Sequence, residues 1–424
     1  MLGKRQILYI IVSDYPYGFG EPFLEDELAY ISDKFTKVYI VIPESHRIDK
    51  SHVKFKVPAN AEILEFNISI TASDKLKSAI KWLSPAWVLE REFIRKHYKH
   101  PFSLLHLKLM LAYEAYAAKF ADALEKHIYK KGYSLDEVSL YTYWFSNVSY
   151  ALAKLKHKFP QLRAITRAHR WDCFYYVNPS DYLPFRPWMA KYLDGIYPIS
   201  DAGSFYLKEK LAGLFDSKII TYRLGVDIQT QIPERSKKGG NLNVVSIAFI
   251  SRVKRIDRIV EALSLMNNVN INWTHIGSAP KDDKQVEELA SESLSSNVHV
   301  NYSFLGERSK QEVLSFLRSN QVDVLLCTSE SEGIPVSMME ALAHGIPVIS
   351  LNVGGISELV NDKYNGTLLP EHATVQDIAQ ALHEWAYLSE IEYQQFSRRA
   401  YESYLTYFSA QNNYTTFYAE TLQA

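Results

Sequence analysis

Cysteine is almost missing: in 424 residues only Cys173 and Cys327 occur, far apart and in apolar settings. That excludes a disulfide framework and a cysteine-bound zinc, and both read as core thiols of a reducing compartment. Net charge is missing too. The 47 Lys and Arg nearly cancel the 48 Asp and Glu, leaving a formal charge of -1, so no global field draws in nucleic acid and a charged partner must be met locally. Long apolar runs are absent as well. Ile7 to Val12 is too short for a signal-peptide core or a bilayer span, and nothing else approaches the roughly twenty apolar residues of a membrane helix. There is no fixed-period repeat, no low-complexity tract and no His or Asp spacing of a metal site. The expectation is a cytoplasmic protein, not integral to a membrane, with no metal and no nucleic-acid partner.

What is present is length and rhythm. The chain suits two domains of about 200 residues, each able to bury a core, and two domains imply a cleft. Short runs rich in Val, Ile and Tyr alternate with stretches of helical spacing, the pattern of βα units around parallel sheets. The expected strands of the first half are 7–12, 38–42, 139–143, 163–166, 195–199 and 218–222. Those of the second half are 243–249, 271–276, 297–302, 322–328, 347–351 and 366–369. The Lys and Gly-rich stretch Ser236 to Asn241 has no apolar period and marks a boundary. The predicted organisation is a first domain over 1–235, a second over 242–400, and a C-terminal helix over 401–424 returning to the first.

An insertion over about 72–132 breaks the rhythm. Between positions 75 and 108 it sets Lys75, Lys77, Lys81, Arg91, Arg95, Lys96, Lys99 and Lys108 against Glu90 and Glu92, interleaved with Trp82, Trp87, Phe93, Tyr98 and Phe102. Such a segment either lies on an anionic membrane surface, making the protein peripheral there, or packs as helices with a solvated outer face.

The chemistry concentrates in VDVLLCTSESEGIPVSMMEALAHGIPVISLNVGGISELV, residues 322–360. A strand buried on both faces leads into a polar loop and a helix, which Ser329 or Ser331 is expected to cap, with Pro335 in its first turn and Gly345 at its end. Backbone N–H groups from Gly333 through Ile334, Pro335 and Val336 to Ser337 then surround a helix N-terminus at the carboxyl end of a parallel strand, where a phosphate is attracted; Pro335 itself contributes none. Glu332 in the loop and Glu340 about two turns on can flank one ligand as acceptors for hydroxyls. Upstream, VSIAFISRVKRID (245–257) carries a strand into a basic turn whose cations suit a leaving diphosphate.

Glu332 and Glu340, with Gly333, Pro335, Ala341, Gly345 and Pro347, resemble the EGxPxxxxEAxAxGxPVI signature of family-4 retaining glycosyltransferases, and Val353 to Glu358 resembles the family's next loop. The resemblance implies an α/β fold of the GT-B type, two Rossmann-like parallel-sheet domains facing a central cleft. It assigns donor-sugar hydroxyls to Glu332, the ribose to Glu340 and the diphosphate to the amides of Gly333 to Ser337. It puts Lys254 on the family's lysine but Phe249 on its arginine, so Arg252 or Arg255 is expected to supply that charge. Gly277 and Glu307 occupy positions that enclose the nucleobase. In YPYGFGE (15–21), Gly18 and Gly20 read as a tight turn or a close approach to phosphate, and the resemblance favours a donor-binding loop across the cleft. His169, in TRAHRWD (166–172), resembles the histidine placed near the transferred sugar, with Asp172 as an acceptor-side companion.

The implied reaction moves a hexose from a nucleoside-diphosphate sugar to a hydroxyl of a glycan or lipid-linked acceptor with retained configuration, in bacterial surface-polysaccharide assembly. The nucleotide sugar is a co-substrate and no cofactor is expected. His169, Lys254 and Glu332 are the expected catalytic residues. A nucleotide-sugar epimerase on the same architecture and a catalytically silent partner subunit are the rivals.

Overall fold

The structure, a computed structural model, describes residues 6–18, 20–97, 102–228, 235–237, 239–280 and 283–423. Phe19 of the glycine-rich loop, Tyr98 and Lys99 of the insertion and Lys238 of the boundary stretch lie outside the described residues. The chain divides into two compact units, Met1–Gly225 with Ala410–Ala424, and Val226–Ser409. The division thus falls ahead of the Ser236 to Asn241 stretch.

The first unit holds six parallel strands: β1 (Ile7–Ile11), β2 (Lys37–Ile42), β3 (Ala61–Glu65), β4 (Val138–Thr142), β5 (Arg163–Ala168) and β6 (Gly195–Pro198). Their spatial order is β3-β2-β1-β4-β5-β6. β1 and β4 are buried along their whole length, as strands covered on both faces must be. β3 was not foreseen from the sequence. It is an edge strand whose glutamates stay at the surface, Glu62 on Lys37 and Glu65 on Lys50, so its pattern is charge-broken and not continuous. Conversely, 218–222 is no strand. The amides of Ile220 and Tyr222 bond to the carbonyls of Ile196 and Pro198, but the segment starts in a tight turn at Asp216–Lys218 and only Ile219 forms a bridge.

The insertion forms helices Ala72–Ala79, Pro85–His97 and Leu104–Lys131. The first and third start on capping boxes, Thr71 with Asp74 and Ser103 with His106, and the third ends at Gly132, whose φ of 71° only glycine adopts without cost. Met110, Ala117, Phe120, Leu124 and Ile128 recur at helical spacing and join Trp87 in the first unit's core. At the other end of the chain, Phe417 lies 4.0 Å under the Arg167 guanidinium, and the carbonyls of Thr421 and Leu422 accept from Arg163 and Ser139.

The second unit repeats the architecture with β7 (Asn241–Ile247), β8 (Asn270–Ile276), β9 (Val300–Phe304), β10 (Val324–Cys327), β11 (Val348–Leu351) and β12 (Gly366–Leu369), ordered β12-β11-β10-β7-β8-β9. In each unit the chain winds outward from the first strand in one direction and then returns to wind in the other. The reversal falls between β1 and β4 and between β7 and β10, the crevices where open α/β sheets hold ligands.

Candidate active site

In the second unit the loops after β7 and β10 rise on either side of that crevice, and backbone bonds stitch them together. Glu330 N donates to Val253 O at 2.8 Å, and Thr328 Oγ1 donates to Arg255 O at 2.8 Å. The belt continues on both sides. Gly355 N reaches Gly333 O at 3.1 Å, Ile250 N reaches Ser278 O at 2.8 Å, and Gly277 N reaches Gly306 O at 2.9 Å. The carboxyl-end loops of the sheet are therefore one hydrogen-bonded rim, and Arg252, Lys254, Arg255, Gly277, Glu332 and Gly333 sit on it.

Glycine is required where this rim is tightest. A Cβ on Gly354 (φ 56°) would lie 1.9 Å from Glu332 O, and one on Gly277 (φ 145°) would lie 1.8 Å from Ala248 O. The first approach fixes the Glu332 peptide; the second brings the β8 loop against the β7 loop. Glu307, just beyond Gly306, is exposed.

Lys254 Nζ donates to Glu332 Oε1 at 2.6 Å. Both line a small depression shared with Ser246, Pro335 and Ser337, so the lysine, the first glutamate and the helix start are brought together. The helix itself differs from expectation. It runs Val336–Ala343, Pro335 stands at the N-cap without a side-chain cap bond, and neither Ser329 nor Ser331 caps it. The segment before it is drawn out along the neighbouring loops, so the turn begins later. Its leading amides have no intrahelical acceptor, and Gly333, Pro335, Val336 and Ser337 are part-exposed while Ile334 is buried. Glu340 lies buried on the same helix, and Gly345 (φ 66°) ends it.

The two candidates for the missing arginine separate. Arg255 is held by Asp257 at 3.0 Å and by Glu330, and these carboxylates raise its already high pKa. Arg252 is exposed, and no carboxylate among the described residues pairs with it. Both line a cavity of about 710 Å³ with Asp257, Asp283 and Leu289, beside the lysine pair and not around it. His275, on β8, is fully buried, and burial pushes it down to about 4, so it is a neutral core residue.

In the first unit the glycine-rich loop is closed on itself. Glu21, fully buried and unremarked in the sequence, accepts from the amides of Ser13, Asp14 and Tyr15 and from Trp144 Nε1. Gly18 N bonds to Asp14 O at 2.9 Å and Gly20 N approaches the Asp14 carboxylate at 3.4 Å, so both amides turn toward the loop's own interior in this structure. A Cβ on Gly18 would lie 1.8 Å from the Asp14 carboxylate, so the loop keeps its present form only with that side chain where it is. Asp172 is fully buried, and its two oxygens accept from His169 N and Phe145 N, both at 2.7 Å, so it ties the two loops together. Arg186, which no sequence pattern signalled, donates to the carbonyls of Phe145 and Asp172 and completes that tie.

His169 is packed against Trp144 (4.4 Å between ring centroids), Tyr143 (4.7 Å) and Phe23 (5.8 Å). Neither ring nitrogen has a hydrogen-bond partner among the described residues. The carboxylate beside the ring is that of Asp172, whose Oδ2 stands 3.9 Å from Nδ1.

Two sheets of this topology define the GT-B class, and solved structures of that class overlay the whole chain. A sucrose-phosphate synthase from Thermosynechococcus elongatus gives a TM-score of 0.67 at 14% identity over 97% of both chains, and HepE from Anabaena, solved with UDP and glucose, gives 0.61 at 16% over 100% of both. The family model for glycosyl transferases group 1 matches residues 227–403, so the second unit is a domain of that family. Among relatives, the putative colanic acid biosynthesis glycosyltransferase WcaL of Salmonella typhimurium is 30% identical over 242 residues, 55% of this chain and 57% of that protein. The O-antigen biosynthesis glycosyltransferase WbnH of Escherichia coli is 26% identical over 232 residues, 54% of this chain and 62% of that one. The matched stretch thus spans little more than half of these relatives' length.

Proposed function

We propose that the chain is a retaining glycosyltransferase that moves a hexose from a nucleoside-diphosphate sugar to an acceptor hydroxyl in the assembly of a bacterial surface polysaccharide. One observation carries the reading: Lys254 and Glu332 meet at the uncapped start of helix Val336–Ala343, in a group 1 domain, at the sheet's reversal point. A diphosphate there meets oriented amides and a cation. The names of the relatives, which include colanic acid and O-antigen enzymes, support the polysaccharide setting.

In this reading the bond from the anomeric carbon to the phosphate oxygen breaks as the acceptor oxygen adds on the same face. The acceptor proton passes to the departing diphosphate. Lys254, Arg252 and the helix start stabilise the developing negative charge without a metal, and Glu332 and Glu340 hold the sugar and ribose hydroxyls. Replacing Lys254 by Ala is expected to lower turnover by roughly 10²–10³-fold, the scale of losing one charge-stabilising donor, while the melting temperature stays within a few degrees. Chelation with EDTA is expected to leave the rate unchanged. A thermal-shift screen of nucleotide sugars identifies the donor, since a ligand of the native state raises the midpoint. Unchanged turnover in Lys254→Ala would overturn the assignment.

The acceptor is proposed to be presented at a membrane. No described helix is long and apolar enough to cross one. Instead Leu76, Ile80 and Leu83, spaced by four and three residues along one helical face, are 74%, 82% and 81% exposed beside Lys75, Lys77 and Lys81. An apolar stripe flanked by lysines suits an anionic bilayer surface. Cosedimentation with phosphatidylglycerol vesicles is expected at low salt and should be lost in Leu76→Glu/Ile80→Glu/Leu83→Glu; equal pelleting of that variant would rule the surface out.

A further inference from the structure

Lys254 and Glu332 are bonded to each other at 2.6 Å, and their surroundings decide which of the two can move. The backbones that carry them are stitched together: Glu330 N donates to Val253 O, and Thr328 Oγ1 to Arg255 O, both at 2.8 Å. The Glu332 peptide is pinned besides, since Gly354 passes close to its carbonyl and Gly355 N donates to Gly333 O. The loops thus hold the carboxylate in place, and what is free to swing is the four-carbon stem of the lysine. The depression that the pair lines measures about 20 Å³, far below the roughly 300–1,000 Å³ of small-molecule sites. A phosphate group entering it has to displace the lysine head.

We infer that the Lys254–Glu332 pair is a selectivity device, which admits a diphosphate readily only when a sugar arrives with it and so disfavours the sugar-free nucleoside diphosphate. The inference rests on the glycosyltransferase reading and adds which of two anionic ligands, donor or spent nucleotide, the site prefers.

The pair has two members to satisfy. A diphosphate replaces the carboxylate as the partner of Lys254 and gains a charge-assisted contact. Glu332, only 8% exposed, then loses its cation, and a carboxylate so enclosed is costly to leave without a partner. No other cation and acid share the exchange: among the described residues Lys254 pairs with Glu332 alone, while Asp257 and Glu330 are both engaged by Arg255. A sugar attached to the diphosphate brings hydroxyl donors to Glu332 as Lys254 leaves it, so both members stay bonded. The bare nucleotide brings none. Penalising the wrong ligand through an enclosed, unpaired group discriminates more sharply than adding one contact for the right ligand. After transfer the sugar is gone, Lys254 returns to Glu332, and the spent nucleotide is released.

The test is calorimetric titration of the full chain with UDP, GDP and ADP and with a hexosyl ester of each. For the base that binds, the ester is expected to bind more tightly than the free diphosphate. Glu332→Gln, nearly isosteric and uncharged, should tighten the free diphosphate by about tenfold, the scale of one charge-assisted hydrogen bond, without tightening the ester. Glu332→Ala should give the diphosphate the same gain, and Glu332→Asp should keep the wild-type order. Adding Glu332→Gln to a Lys254→Ala chain should leave the diphosphate within about twofold of Lys254→Ala alone, because the pair is already gone. Unchanged diphosphate affinity in Glu332→Gln and Glu332→Ala overturns the inference, as does an equal gain in the Lys254→Ala background, the mark of a general loss of negative charge. Nucleotides that bind wild type and Glu332→Gln alike leave the donor reading standing and remove this one; nucleotides and esters that bind neither protein remove both.

Discussion

Glu90 and Glu332 show how position decides what a carboxylate does. Glu332 keeps Lys254 at 2.6 Å and lines the small depression at the helix start, so its charge is matched by a cation. Glu90 is wholly enclosed, with Tyr182 donating to it at 2.6 Å, and burial pushes it up to about 7 despite nearby Arg186. In the unfolded chain it titrates near the ordinary glutamate value of 4.5. Between those values the folded state holds the extra proton, so stability is full below pH 4.5 and falls as pH rises through 7, by on the order of 2–3 kcal/mol. Glu90→Gln is therefore expected to raise the melting temperature at pH 8 and to leave it nearly unchanged at pH 4.5, which parallel thermal melts would check. From the sequence Glu90 was only one of two acids in a basic segment.

At the scale of elements, the active rim depends on loops more than on the helices they precede. Gly354 belongs to the loop after β11 yet sets the Glu332 peptide after β10, because only a residue without Cβ passes that carbonyl. Gly354→Ala is expected to cost about 1–2 kcal/mol for the left-handed backbone alone and to lower turnover tenfold or more by displacing Glu332. Thermal melting and single-turnover rates separate the two effects. The strand, loop and helix order along 322–360 was legible because a buried strand, a glycine loop and a short helix each leave a local mark. The late start of the helix at Val336 was not, since Ser329 and Ser331 are competent caps and only the neighbouring loops draw the segment away from them. β3 was missed for a related reason: an edge strand carries its charges outward and loses the apolar run.

Over the whole molecule, the fold is two copies of one parallel-sheet plan, but covalent order does not follow unit membership. Ala410–Ala424 belongs to the first unit, where Phe417 covers buried Arg167, itself paired with Glu27 at 3.4 Å. Ending the chain after Ser409 would expose that pair to water and uncover the edges of Tyr141 and Tyr197. The truncated protein is expected to melt several degrees lower, with faster amide exchange concentrated in β4 and β5, more than 200 residues earlier in the sequence; exchange increased only around 400–409 would refute this.

The sequence alone determined the class of architecture and picked out the segments of the candidate site, because strand and helix periods are local and the glutamates, lysine and glycines lie within short segments of chain. Tertiary structure decided which of those residues have groups to offer. It spends the amides of Gly18 and Gly20 on Asp14, closes Asp172 between two loops, holds Arg255 with two acids and leaves Arg252 open. It also joins Glu21, Arg186 and Trp144 around His169 from distant positions. Hydrogen bonds and burial between remote segments set those outcomes, and a linear reading of residue types does not carry that information.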